Sequence, residues 1–481
     1  MTPARRLLFL LALAASVLAV QSASATNSPN MRIDYSLNDT TSGRTHSDIA
    51  FWGNIAVAGN YDGFHVFNTD THQLLVSKLC RGPQNDVSLY PASNGHLLLF
   101  QSIDTPQFNG DTVCSENRTS DRGASDPTCS PDPTHVCFEG IRIFDLTNPA
   151  SPVLIKGVYT ECGSHTHTLV PDLANNRLLL YVSSYPTVDG PMCHSPHAKI
   201  SIVGVPLDDP TSASVIATPP IDAPPYIGVG CHDITVFMAI HKAVASCQSQ
   251  AQLWDITDPA NPDTLHPVRL DRDGVNFWHS AEFTWDGQYV VTDDESFTGT
   301  CSAGNDGQIS IWRVSDAQLM STYMIPRSQG GTYCSVHNGN LIPVAGRYLL
   351  VAAWYGGGTS VIDFTNPTNP HEIAYYDATG SPRASDAWSS YWYNGQIYTN
   401  DIGRGQDVFD FVLPRTTYGA TFTHLNAQTQ EDLLPSLSAT PALSQLLRYT
   451  RRGALTGRWA RQERHRRATA RARASLLRAR G

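Results

Sequence analysis

Charge is scarce in this chain. Asp, Glu, Lys and Arg make up only 16% of its 481 residues, too few to dress the outer faces of many long surface helices. Cys-x-x-Cys spacing is missing although ten cysteines are present, which excludes thioredoxin-type chemistry and the usual thiolate zinc sites. No Gly-x-Ser-x-Gly, phosphate-binding loop, His-Glu-x-x-His or dinucleotide fingerprint occurs. Serine hydrolases, nucleotide enzymes and zincins are thereby disfavoured. The apolar run Leu7–Val20 is too short to cross a bilayer, and no other run is longer.

What is present points to export and to β-structure. Arg5 and Arg6, the apolar run Leu7–Val20 and the small-residue site Ala23-Ser24-Ala25 read as a signal peptide over residues 1–25. The mature chain is then expected in an oxidising, extracellular compartment, with its even number of cysteines in disulfides. Cys114–Cys129 and Cys231–Cys247 are the expected local pairs, each flanking a short excursion. The 35 Gly and 31 Pro suit short strands and tight turns. From Arg448 onward twelve Arg face one Glu, so this tail carries +11, and taking it from the net −10 leaves −21 on the rest. An acidic body with no basic face excludes nucleic acid as a partner.

Internal repeats set the fold. Phe144-Asp-Leu-Thr-Asn-Pro-Ala-Ser-Pro152, Trp254-Asp-Ile-Thr-Asp-Pro-Ala-Asn-Pro262 and Ile362-Asp-Phe-Thr-Asn-Pro-Thr-Asn-Pro370 are near copies. Each reads as an alternating strand stopped by an Asn/Asp-Pro turn. Weaker copies complete a series of equivalent positions, Phe67, Phe144, Val203, Trp254, Trp312, Ile362 and Phe409, spaced by 47 to 77 residues. About four short strands per repeat make a propeller blade. The expectation is an all-β, seven-bladed β-propeller over residues 26–415, with Met31–Ser36 supplying the last blade's missing strand. Disulfide-bearing insertions such as Asp104–Val136, a linker over 416–447 and a disordered or helical Arg-rich tail over 448–481 complete the layout.

The Asp-Leu/Ile-Thr-Asn/Asp-Pro segments, and Asn400-Asp-Ile-Gly-Arg-Gly405 before Phe409, resemble the LVIVD repeats of secreted bacterial propellers. The resemblance covers residues 30–415 or so and implies the fold, but no single activity. A more distant likeness is to selenium-binding proteins, among them methanethiol oxidases, which are propellers with copper-binding histidines.

Histidines stand at the head of the expected first strands: His46, His167 (with His165 two before it), His232, His279 and His337. Asp86 and either Asp386 or Trp388 hold the place in the other two blades. Equivalent positions converge on one axis, and neutral imidazoles there suit copper or non-haem iron. Asp48, Asp233 and Glu282 lie in the same strands as orienting carboxylates, Glu282 and Asp48 being the candidates for moving protons. Arg404, in a Gly-Arg-Gly turn, is a candidate anion contact. Cys193-His194 with His197 reads as loop chemistry or a disulfide neighbour, and Asp293-Asp294-Glu295 as a solvated acidic turn or, second to that, an oxygen site for calcium. Two functions follow. One is a metal-dependent oxidoreductase acting on a small molecule. The other is a non-catalytic module binding a cell-surface or wall polymer, its histidines merely capping strands. Either is expected to be a monomer.

Overall fold

A computed structural model describes residues 25–39, 45–108, 114, 137–186, 193–222, 230–275, 277–297, 307–327, 329, 333–344, 346–379, 384–412 and 421–431. Most of the expected leader and all of the Arg-rich tail lie outside them. Among the described residues the elements are strands and single turns of 3-10 helix.

The repeat motifs build their turns as the Asx chemistry dictates. Asp145, Asp255 and Asp363 each accept from the backbone N–H two residues on, at 2.8, 2.9 and 2.9 Å. Asn148, Asp258 and Asn366 then do the same, at 3.2, 3.1 and 3.2 Å, to close the second half of the turn.

Strands between such turns pair as antiparallel four-stranded meanders. The first runs His46–Trp52, Ile55–Asn60, Gly63–Asn68 and Leu74–Leu79. The second runs Gln84–Pro91, Leu97–Phe108, Cys137–Asp145 and Val153–Tyr159, and the third Thr166–Asp172, Arg177–Ser183, Ser201–Pro206 and Ser214–Ala217. The fourth is Ile234–Phe237, Lys242–Cys247, Gln250–Asp255 and Asp263–Leu270, and the fifth Trp278–Phe283, Tyr289–Asp294, Ile309–Arg313 and Gln318–Tyr323. The sixth comprises Val336–Ile342, Leu349–Trp354, Gly358–Asp363 and His371–Ala378. The last has three late strands, Ala387–Tyr393, Gln396–Asp401 and Gly405–Phe411, and takes its outer strand from Met31–Asn38, paired antiparallel from Met31↔Phe411 to Asn38↔Gly405. A single parallel bridge, Asn338↔Ser389, joins the sixth, which carries Ala25–Asn27 on its outer edge, and the last into one nine-stranded sheet.

The first strands touch one another in sequence, and Ala387–Tyr393 returns to His46–Trp52. Apolar clusters fill the seams between successive meanders. Phe100, Leu169 and Leu180 seal the second against the third, and Ile49, Phe51, Tyr391 and Tyr398 seal the last against the first. Burying each such side chain stabilises by about 1.5–3 kcal/mol.

Residues 421–431 depart from the expected linker. They lie across the far ends of the first strands, where His424–Leu425 pairs with Phe51–Trp52 and Thr429–Gln430 pairs with Val236–Phe237. Asn426 clamps Leu89, accepting from its N–H at 2.7 Å and donating to its carbonyl at 2.9 Å. Gln430 clamps Phe283 in the same way, at 3.1 and 2.9 Å.

Disulfides join Cys80–Cys114, Cys162–Cys193 and Cys231–Cys247. The last is the expected pair. Cys114 is taken by the buried Cys80 rather than by the expected Cys129, which is outside the described residues. No described helix is long and apolar enough to cross a membrane.

Candidate metal centre

The near ends of the first strands are irregular. Pairing registers shift between His46 and Ile49, Gln84 and Val87, Trp278 and Ala281, Val336 and Gly339, and Ala387 and Ser389. A bulge re-aims the side chains at its extra residue. His279 and His337 sit inside two of these shifts.

Four imidazoles form a continuous buried arc. Ring centroids are 4.2 Å apart for His165–His232, 3.9 Å for His232–His279 and 4.0 Å for His279–His337. Their relative exposures are 3%, 6%, 0% and 3% along the arc. Each Nδ1 faces an oxygen. Asp104 Oδ1 lies 3.3 Å from His165, Asp233 Oδ1 3.1 Å from His232 and Asp293 Oδ2 3.4 Å from His279, while His337 Nδ1 meets the carbonyl of Trp388. Ligating histidines are oriented in this way, with an oxygen beside Nδ1 and Nε2 turned inward. Gly163, at φ +68°, lets the chain before His165 pack on the Asp104 carbonyl where a Cβ would collide.

The inward nitrogens are crowded. His165 Nε2 and His232 Nε2 stand 2.7 Å apart, and the Tyr185 hydroxyl is 3.0 Å from the former. Glu295 closes the other side, 3.8 Å from His279 Nε2 and 3.7 Å from His337 Nε2, and accepts from the Tyr355 hydroxyl at 2.8 Å. Neither ring nitrogen of His279 has a hydrogen-bond partner, nor does His165 Nδ1 or Asp233 Oδ2. Two donor groups able to hold a cation overlap here, His232–Asp233–His279 and His279–Glu295–His337.

Electrostatics confine the charge. Burial, and then the neighbouring imidazoles, hold His232 and His337 well below the ordinary histidine range. Burial pushes His279 down too, but Glu295, Asp293 and Asp233 outweigh it and raise it to about 10. Burial raises Glu295, and raises Asp233 to about 7.

The sequence-predicted residues divide. His232, His279, His337, His165 and Asp233 come together. His167, a principal candidate, is bonded elsewhere, to Ser88 Oγ at 2.6 Å and Ser102 Oγ at 2.8 Å, with Asp86 at 3.1 Å. His165 holds the place expected for it, because the chain at Ser164–Thr166 turns before the regular strand begins. His46 packs 5.7 Å from His65. Asp48 accepts from the Ile49 N–H at 2.8 Å, and its carboxyl is pushed far up by burial, Asp86 and Asp233. Burial, Asp293 and Asp233 push Glu282 up likewise. Arg404 is committed to Asp407 at 2.8 Å, with Asp401 at 3.9 Å, rather than to an anion on the axis. His197 leaves the arc for Ser184 Oγ at 3.1 Å, beside the Cys162–Cys193 disulfide.

Sequence reading passed over Asp104, Tyr185 and Tyr355, and took Glu295 only as part of an acidic turn. Glu295 lies in what looks like a solvated acidic turn, yet it is 5% exposed. The available signal was its place just after a second strand, on the histidine side of the sheet. Aromatic rings wall the arc: Phe277 lies 5.4 Å from His232, Tyr355 and Trp388 lie 4.8 and 4.9 Å from His337, and Phe297 packs 5.8 Å from Phe277.

Imidazole and carboxylate donors with no described free thiol fit a transition-metal ion rather than an all-oxygen calcium site. No family model matches the chain. No curated protein matches it either. Among solved structures, the computationally designed Ika8 protein is similar at TM-score 0.42 and 11% identity, covering 76% of this chain and 96% of that one. U3-55K is similar at TM-score 0.45 and 8% identity, covering 80% and 98%. Likeness of that degree carries no functional argument.

Proposed function

We propose that the chain is an exported seven-bladed β-propeller of the LVIVD-repeat kind. On this reading it holds copper or non-haem iron on its axis and oxidises a small molecule there. The cycle of first-strand contacts and the sealed seam between last and first meanders support the ring. Three disulfides among the described residues support an oxidising compartment.

One observation carries the site. His165 Nε2 and His232 Nε2 stand 2.7 Å apart with Asp104 and Asp233 beside the two Nδ1 atoms, and with both Nδ1 atoms protonated the Nε2 lone pairs would face each other. Lone pairs that close, in a dry interior, repel unless a cation lies between them. His279 and His337 complete the donors, and Asp104, Asp233 and Asp293 hold the rings. When bound, the metal supplies the one-electron chemistry that no side chain here offers. Glu295, held by Tyr355, is placed to take or return a proton at the inner face of His279 and His337. Phe277, Tyr355 and Trp388 exclude water and favour an uncharged, compact substrate.

Elemental analysis of the mature chain, purified without a polyhistidine tag, tests this. About one copper or iron per chain is expected, lost in His232→Ala/His279→Ala. A metal-free parent protein that takes up neither ion on addition overturns the reading in favour of a binding module.

A further inference from the structure

The third donor beside His165 and His232 is not a histidine. Tyr185 follows the strand Arg177–Ser183, and its ring packs 4.6 Å from His165 and 6.1 Å from His232. Its hydroxyl oxygen lies 3.0 Å from His165 Nε2, the nitrogen that is itself 2.7 Å from His232 Nε2.

We propose that Tyr185 is a ligand of the metal through its phenolate oxygen, an inference that rests on the metal site proposed above. Two ligands bonded at about 2.0–2.2 Å in neighbouring positions of one coordination sphere stand about 3 Å apart. Both measured edges, nitrogen to nitrogen and oxygen to nitrogen, have that length. The competing arrangement, Tyr185 O–H donating to His165 Nε2, consumes the single lone pair of that nitrogen. Without a cation one Nε2 must carry the proton between the two rings, which leaves that ring's Nδ1 lone pair facing the Asp104 or Asp233 carboxylate. A cation inside the triangle satisfies all three atoms at once.

Ligation exchanges one bond for another. The Tyr185 O–H bond breaks, an oxygen–metal bond forms, the proton passes to solvent, and no electron moves. The anionic oxygen, with Glu295 across the site, adds hard donors to the imidazoles and favours the higher oxidation states, ferric and cupric.

The test uses colour. The mature chain is loaded with ferric ion alone and, separately, with cupric ion alone. Metal content and visible absorption are then compared with those of Tyr185→Phe. A phenolate bound to either oxidised ion gives an intense ligand-to-metal charge-transfer band that imidazole and carboxylate do not. The expected result is that band in at least one loaded parent protein, and its loss in Tyr185→Phe with at least half the metal retained. Metal bound without the band overturns the phenolate ligand and leaves the metal site standing, as does a band that persists in Tyr185→Phe. A parent protein that binds neither ion overturns both.

Discussion

The two ends of the same seven first strands solve the burial of polar groups in opposite ways. At the far end residues 421–431 meet the backbone with side-chain amides, so that Leu89 and Phe283 each have both N–H and carbonyl matched. Asn340 does the same for Trp392, at 3.1 and 2.8 Å. At the near end, imidazole nitrogens and carboxylate oxygens are as deeply buried, yet several have no partner. A chain that clamps single peptide groups at one end has the means to satisfy the other. On the function proposed above, the groups left open there are those that would hold the metal.

The largest expected effect breaks the satisfied end. Ending the chain at residue 420 removes both clamps and the Phe422 ring, which packs against Trp285 and Trp392 at 5.2 and 5.6 Å. Stability should fall by more than about 5 kcal/mol, seen calorimetrically as loss of the main unfolding transition. Asn426→Ala tests one clamp. With the Leu89 N–H and carbonyl left buried and unmatched, it should cost about 2–4 kcal/mol in denaturant unfolding and leave metal content unchanged.

A third comparison sets His167 against His165, two residues apart. His167→Ala strands Ser88, Ser102 and Asp86 in the interior, so it should destabilise by about 2 kcal/mol without moving metal affinity. His165→Ala should lower metal affinity at least about tenfold while changing metal-free stability less than His167→Ala does. The reverse pattern would place the binding histidine at 167.

The smallest effect is read with acid. Burial, and then Lys199, press His197 down to about 4 against the opposing pull of Glu161. A histidine depressed on folding stabilises above its unfolded pKa, about 6.5. That contribution is lost as pH falls from there through about 4, because only the unfolded chain takes up the proton. Stability of the metal-free protein should therefore drop by about 2 kcal/mol across this window. The drop should flatten in His197→Asn, checked by chemical unfolding at a series of pH values.

How much of this was legible in the sequence depended on how local each cause is. Asp145, Asp255 and Asp363 act within two residues of themselves, so the turns and the repeat were plain. His232, His279 and His337 could be aligned because the repeat carries them in register. His165 and His167 could not be told apart, since the choice is made by Asp86 and Ser88 reaching over from the preceding meander. Glu295 looked solvated because burial belongs to the assembled molecule. Residues 421–431 looked like a linker, for nothing in Asn426 or Gln430 announces that each will grip a backbone far upstream.

Met31–Asn38, lying along Gly405–Phe411, adds a constraint in time. The last sheet cannot be completed until Gly405–Phe411 has been made, because its outer strand Met31–Asn38 precedes six whole meanders and its other strands follow them. Until then one edge stays bare. A chain delivered in sequence order, whether from a ribosome or through a membrane pore, stays unlocked in transit and snaps shut only when Met31–Asn38 and Gly405–Phe411 share the same side.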